Sequence, residues 1–220
     1  MKQILCYGDS HTWGYIPDSG DDELMLAKRF ERGTRWTSIL QQLLGNKFYV
    51  IEAGLNGRNT SFDETQVVRP SRNGLADLPL ILEMNYPLDL VILMLGTNDV
   101  KMEFQTPAAR TAQAMKKLIG IVKNCHFGPD YAAPQVLLIA PPPLHKINSE
   151  DFRSLYNDSS IAETQKLPPL YAKLAEQEQC PFIDASKIIQ ISSKDGVHFD
   201  REGHTELAQA IAKKIEAMKL

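Results

Sequence analysis

The chain has 220 residues, 43% of them hydrophobic and 23% charged, with 24 Lys plus Arg against 27 Asp plus Glu. These proportions suit a globular protein and exclude disorder, collagen and a coiled coil. The net charge of −3 speaks against a nucleic-acid binder working by bulk charge and against an anionic-membrane partner.

An apolar segment opens the chain (Ile4, Leu5, Cys6, Tyr7) but is interrupted by Gly8-Asp9-Ser10, too soon for a signal-peptide core. Residues 3–7 read instead as a first strand. Residues 14–34 follow, with Pro17, Gly20, Gly33 and a mixed charge run. Trp36, Ile39, Leu40, Leu43 and Leu44 then form one apolar stripe at helical spacing. Strands are expected at 48–53, 88–95, 135–140 and 181–184. The central ones are almost wholly apolar, as parallel strands covered on both faces are. Residues 107–124 read as a helix. So does 201–218, with Leu207, Ile211, Ile215 and Met218 on one face. Between them, residues 141–169 open with Pro141-Pro142-Pro143 and close with Pro168-Pro169, a long connection that can wall a pocket or meet another subunit.

Strand–helix alternation predicts an α/β three-layer sandwich with a five-stranded parallel sheet, flavodoxin-like in type. One domain over residues 1–220 is the expectation, somewhat above the usual length of about 100–200 residues. The longest purely apolar run, Leu90–Leu95, is far below the ~20 residues that span a bilayer. Three widely spaced cysteines, Cys6, Cys125 and Cys180, include no Cys-x-x-Cys and read as free thiols in a reducing compartment. A cytoplasmic location is therefore expected.

Four short segments carry reactive groups. Gly8-Asp9-Ser10-His11-Thr12 puts a serine just past the first strand, although Gly-Asp-Ser is also a good turn and helix cap. Gly54-Leu55-Asn56-Gly57-Arg58 follows the second strand, and a glycine there lets backbone N–H approach a ligand. Gly96-Thr97-Asn98-Asp99 follows the third and offers an amide N–H that could stabilise an oxyanion. Asp195-Gly196-Val197-His198-Phe199 precedes the last helix, and a carboxylate three residues before an imidazole can set its tautomer and leave the other nitrogen as a base. Each has an ordinary use as a turn or cap. Together they are expected to converge at one sheet edge, with the groups that acyl transfer needs. Position 12 is Thr, so Gly-x-Ser-x-Gly is absent. His-Glu-x-x-His, a Walker loop and Gly-x-Gly-x-x-Gly are absent too, so neither a metal nor a nucleotide cofactor is expected.

This set resembles the SGNH hydrolase superfamily, the GDSL-type esterases. Its four blocks would be Ser10 in GDS, Gly57 in GLNGR, Asn98 in GTND and His198 in DGVHF, with Asp195 as the acid. GDSHTWG, VIEAGLNGRNT, LDLVILMLGTND, APPPL and DGVHF further resemble a bacterial arylesterase/acyltransferase branch. The resemblance implies a serine esterase acting on small short-acyl esters, with acyl transfer to alcohols in some members and large homo-oligomers in others. It implies catalysis by Ser10, His198 and Asp195 and an oxyanion hole from the Ser10 and Gly57 backbone and the Asn98 side chain. His11 departs from the leucine common after the nucleophile, and Gly57 from the alanine found in some acyltransferases.

Of five histidines, only His198 has an acid at the right spacing. His11 is expected at the rim or behind the reacting groups, and His204 on the surface. Trp13 can wall an acyl pocket or pack in the core, and Phe152, Leu155 and Tyr156 can cover the pocket or meet a neighbouring subunit. Rival readings are a carbohydrate O-acetylesterase, a thioesterase or lysophospholipase of the same superfamily, and a non-catalytic flavodoxin-like binding module. The expected partners are a small-molecule ester and further copies of the chain in a homo-oligomer, with no nucleic acid and no membrane.

Overall fold

The computed structural model describes residues 1–20, 27–63, 70–218 and 220. The strands are β1 (Lys2–Gly8), β2 (Phe48–Gly54), β3 (Leu90–Met94), β4 (Gln135–Ala140) and β5 (Phe182–Asp184). The helices are α1 (Ser10–Trp13), α2 (Trp36–Leu44), α3 (Gly74–Met84), α4 (Ala108–Asn124), α5 (Glu150–Arg153), α6 (Asp158–Gln177) and α7 (Arg201–Met218). All strand pairs are parallel, in the order β2-β1-β3-β4-β5. The chain steps outward from β1 to β2, then crosses back to β3 on the other side. The crevice between β1 and β3 is thus the switch point of an open α/β sheet, where ligands bind at the carboxyl ends of strands.

Alternation along the strands explains their unbroken apolarity. Leu5, Tyr7, Val91, Leu93, Val136 and Leu138 face one layer, with Leu78 and Leu82 of α3, Met115 and Leu118 of α4, and Leu167 and Tyr171 of α6. Ile4, Cys6, Leu90, Ile92, Leu137 and Ile139 face the other, with Trp36 and Leu40 of α2 and Leu207, Ile211 and Ile215 of α7. Successive side chains point to opposite faces, so a strand covered on both sides needs apolar residues at every position. The result is the expected α/β/α sandwich.

Helices differ from expectation in three places. In α2 the buried face is Trp36, Thr37 and Leu40, while Leu43 is 51% exposed. Thr37 turns inward because its hydroxyl donates to Glu52 on β2. The connection 141–169 is not a continuous loop. It contains α5 and much of α6, with Pro168 and Pro169 inside the helix. Two prolines remove two intrahelical donors, but Leu167, Tyr171 and Leu174 bury against the sheet on both sides of them, and a capping box from Asn157 and Ser160 starts the helix. Finally, α3 carries Pro79 and is apolar nearly all round, so no periodic stripe announces it.

The charge run within 14–34 falls partly on residues 21–26, which lie outside the described residues. Cys6 is buried and Cys125 and Cys180 half-buried, all three as free thiols. Among the described residues, no helix is long and apolar enough to cross a membrane.

Candidate active site

The site begins with how β1 ends. Gly8 pairs with Gly54 in the β1–β2 register. A Cβ on Gly54 would lie 2.2 Å from Trp13 N, so only glycine lets α1 fold down across the strand ends. Asp9 caps that short helix, its Oδ1 accepting from His11 N at 3.0 Å. Ser10 is thereby held at the mouth of the crevice.

The second element is the loop before α7. Gly196 has φ +81°, and a Cβ there would meet Lys146 O at 2.2 Å. The loop is pinned to the 145–148 segment by His145 N donating to Gly196 O at 2.9 Å and Asn148 N donating to Asp195 O at 3.3 Å. Asp195 turns back on its own loop, Oδ1 accepting from Val197 N at 2.8 Å and His198 N at 2.9 Å. Its Oδ2 lies 2.8 Å from His198 Nδ1 and accepts from Asp18 N at 3.3 Å. His198 Nε2 is 2.9 Å from Ser10 Oγ. An ionised carboxylate only accepts, so Nδ1 carries the hydrogen and Nε2 presents its lone pair to the serine hydroxyl.

Electrostatics agree with that tautomer. Burial alone would raise Asp195, but the hydrogen bond and charge of His198 and two backbone N–H groups outweigh it and hold the carboxyl below its usual range. Burial dominates at His198 and holds it below the ordinary imidazole value despite Asp195. The site therefore pairs a carboxylate with a neutral imidazole near pH 7.

Asn98 follows β3 and is fixed at both ends of its amide. Tyr156 Oη donates to its Oδ1 at 3.0 Å, and its Nδ2 donates to Arg58 O at 3.1 Å. An amide has two N–H groups, so one remains for the cavity. Arg58 holds the block after β2, with Nη1 donating to Gly8 O at 2.8 Å and Ala53 O at 2.5 Å and its guanidinium 4.2 Å from the Tyr7 ring centroid. Behind Asn98, Asp99 accepts from Thr60 N at 3.0 Å and from the Thr60 hydroxyl. Burial pushes the Asp99 carboxyl up to about 7 against those bonds.

Ser10, Gly57, Asn98 and His198 all line one cavity of about 280 Å³. Tyr15, Phe152, Leu155, Tyr156 and Val197 supply apolar walls, while Asn56, Lys101, Glu150, Asp151 and Ser154 make a polar side. Of the other expected pocket residues, Phe152 lines the cavity, and His11 and Trp13 are not among the lining residues. Trp13 is half-buried and packs against the apolar cluster that holds Tyr15, Phe152 and Tyr156 without lining the cavity, with Arg29 Nε donating to its carbonyl at 2.6 Å and the guanidinium 5.1 Å from its ring. Tyr15 takes the wall position instead. No motif marks it, since its role depends on where residue 15 lands after α1. His11 sits behind His198, 2% exposed. His204 is a correction: it is 1% exposed, not on the surface, and its Nδ1 accepts from Trp36 N at 3.2 Å.

The family described as GDSL-like Lipase/Acylhydrolase matches residues 6–205, from β1 into α7. The chain belongs to that family. With it, the chain belongs to the carboxylic ester hydrolases. Among solved structures, an aryl esterase from M. smegmatis is 37% identical over 99% of both chains, with a TM-score of 0.91. A carbohydrate acetylesterase from Sinorhizobium meliloti is 37% identical over 99% of this chain and 100% of that one, with a TM-score of 0.90. An acetylxylan esterase from Xylanibacter ruminicola is 23% identical over 97% of this chain, which spans 43% of that protein's length. The family match covers every residue of the site described above.

Proposed function

We propose that this protein is a serine esterase that cleaves short-acyl, acetyl-type esters through Ser10, His198 and Asp195. The observation that carries the reading is the unbroken chain from Ser10 Oγ to His198 Nε2 at 2.9 Å and from His198 Nδ1 to Asp195 Oδ2 at 2.8 Å. Ser10 Oγ attacks the ester carbonyl as His198 Nε2 takes its proton. Asp195 holds the imidazole and stabilises the imidazolium. The carbonyl oxygen becomes an oxyanion facing N–H groups of the Ser10 backbone, the Gly57 backbone and the Asn98 amide. His198 then returns the proton to the leaving alcohol, giving an acyl-serine. Water activated by the same imidazole releases the acid, and an alcohol in its place yields a new ester.

Short acyl groups suit a cavity of about 280 Å³ closed by Tyr15, Phe152 and Tyr156, near the small end of ligand pockets. A second reading concerns the alcohol. Lys101, Glu150, Asp151, Ser154 and Asn56 give one side of the cavity hydrogen-bonding groups, and two of the relatives named above are called acetylesterases of carbohydrate or xylan. An O-acetylated sugar is the alternative substrate. A nitrophenyl ester series from acetate to octanoate, run beside an acetylated sugar with Ser10→Ala as control, tests both readings. Acetate is expected to be fastest, with turnover lost in Ser10→Ala. Full turnover by the folded variant sinks the assignment.

A further inference from the structure

His11 is a buried ionisable group next to the proposed triad that the chemistry above leaves unused. Its Nε2 lies 2.9 Å from Val197 O, and a carbonyl only accepts, so Nε2 carries a hydrogen. Its Nδ1 lies 3.3 Å from Asp9 Oδ1, an ion-pair distance without hydrogen-bond alignment. The ring stacks on Phe199, with centroids 5.0 Å apart and planes 6° apart, and stands 5.5 Å from the His198 ring. The groups facing it are Asp9 from its own turn, Asp195 and His198 from the loop before α7, and His204 from α7. His11 thus grips the peptide carbonyl directly before the proposed base while its second nitrogen faces a buried carboxylate.

The geometry points to His11 and Asp9 as a second imidazole–carboxylate pair, which positions His198 through Val197 and, with His11 protonated, opposes protonation of His198. It rests on the reading of His198 as the general base. Burial works against a charged His11, but the close negative charge of Asp9, the Val197 carbonyl and the charge of Asp195 outweigh it and raise it above the ordinary imidazole value. His198 is lowered, first by burial, with the charge of His11 among the causes. Over the range where His198 titrates, His11 therefore already carries its proton. The positive ring is a reason for His198 to stay neutral, and so active, at lower pH. Asp9 offsets part of that effect, because its carboxylate favours a protonated His198.

Two substitutions separate grip from charge. His11→Gln keeps an N–H for Val197 O but cannot ionise, and His11→Leu removes both. The pH profile of kcat/KM on an aryl acetate is measured beside an NMR titration of the His198 ring. Both variants are expected to move the acid limb and the His198 titration to higher pH by about one unit, the order expected of a partly offset charge at this range. Plateau kcat should stay near wild type in His11→Gln and fall about tenfold in His11→Leu. An unmoved His198 titration in folded His11→Gln overturns the proposal, even if activity falls uniformly. The NMR arm needs no turnover. If wild type shows no Ser10-dependent esterase activity, the triad reading fails while the His11–His198 coupling is still measured.

Discussion

Tyr15 lies flat against His198, with ring centroids 4.0 Å apart and planes only 15° apart. Phe152 meets the same imidazole at 5.3 Å and 63°. In the proposed mechanism, an aromatic face favours the imidazolium formed when Ser10 gives up its proton, and the two rings shield the proposed base from water. Tyr15→Phe should therefore leave kcat within about threefold of wild type. Tyr15→Ala should lower it about tenfold, between the values of an exposed and a desolvated cation–π contact. Steady-state kinetics on aryl acetate, with circular dichroism to confirm folding, separates the two. Equal activity of all three proteins removes any role for the stack.

Asn98 offers a graded test of the proposed oxyanion site. Asn98→Ala removes a donor and is expected to lower kcat by about 10²–10³. Tyr156→Phe leaves the donor but frees the amide oxygen that Tyr156 holds at 3.0 Å. Its expected cost is about tenfold in kcat with little change in KM, since the donor is present but less well aimed. Burst kinetics would show slower acylation in both. Undiminished acylation in Asn98→Ala would remove it from the site.

Two glycine substitutions should act in opposite directions. Gly54→Ala brings Cβ to 2.2 Å from Trp13 N, a backbone atom that cannot rotate away. It should cost about 3 kcal/mol or more and lower Tm by about 6–12 °C. Gly120 in α4 has nothing within 4 Å of an added Cβ. Gly120→Ala should add up to about 1 kcal/mol through helix propensity. Thermal unfolding of both variants checks the pair, and a stable Gly54→Ala would contradict the close approach.

Acid stability should depend on His204. Burial, with Arg35 and with His11 and His198 in their protonated forms, lowers it to about 3. A histidine depressed in the folded state contributes stability fully above its unfolded value of about 6.5. That contribution is lost as pH falls from there toward 3, because the unfolded chain takes up the proton first. Protonation also spoils the bond that Nδ1 accepts from Trp36 N, which ties α7 to α2. Denaturant unfolding at several pH values should show a shallower loss of stability in His204→Gln than in wild type across this window. Parallel curves would show that His204 is not the group responsible.

The strands were legible because apolar runs bounded by Gly, Pro and Asn report a buried strand without knowledge of its neighbours. Asp195 and His198 were legible for a similar reason. Three residues apart around Gly196, they meet within one turn, at 2.8 Å. Helix α6 is hidden in the sequence because Pro168 and Pro169 usually stop a helix, whereas here buried Leu167, Tyr171 and Leu174 carry it through. The burial of His204 is not visible in the sequence because one helix reveals its apolar stripe but not that Trp36 N needs an acceptor beside it. Trp13 and Tyr15 are both aromatic and near Ser10, and local spacing could not tell which would reach the cavity.

The α/β alternation, the family and the candidate residues at the strand ends can be read from the order of amino acids, since each depends on local pattern. Tertiary structure alone decided the order β2-β1-β3-β4-β5, the 2.9 Å approach of His198 to Ser10 across 188 positions, and the placing of Tyr15 and His11 around the imidazole. The reason is physical. Local elements follow from backbone geometry and side-chain period, but which distant faces meet is settled by packing two apolar layers against one twisted sheet.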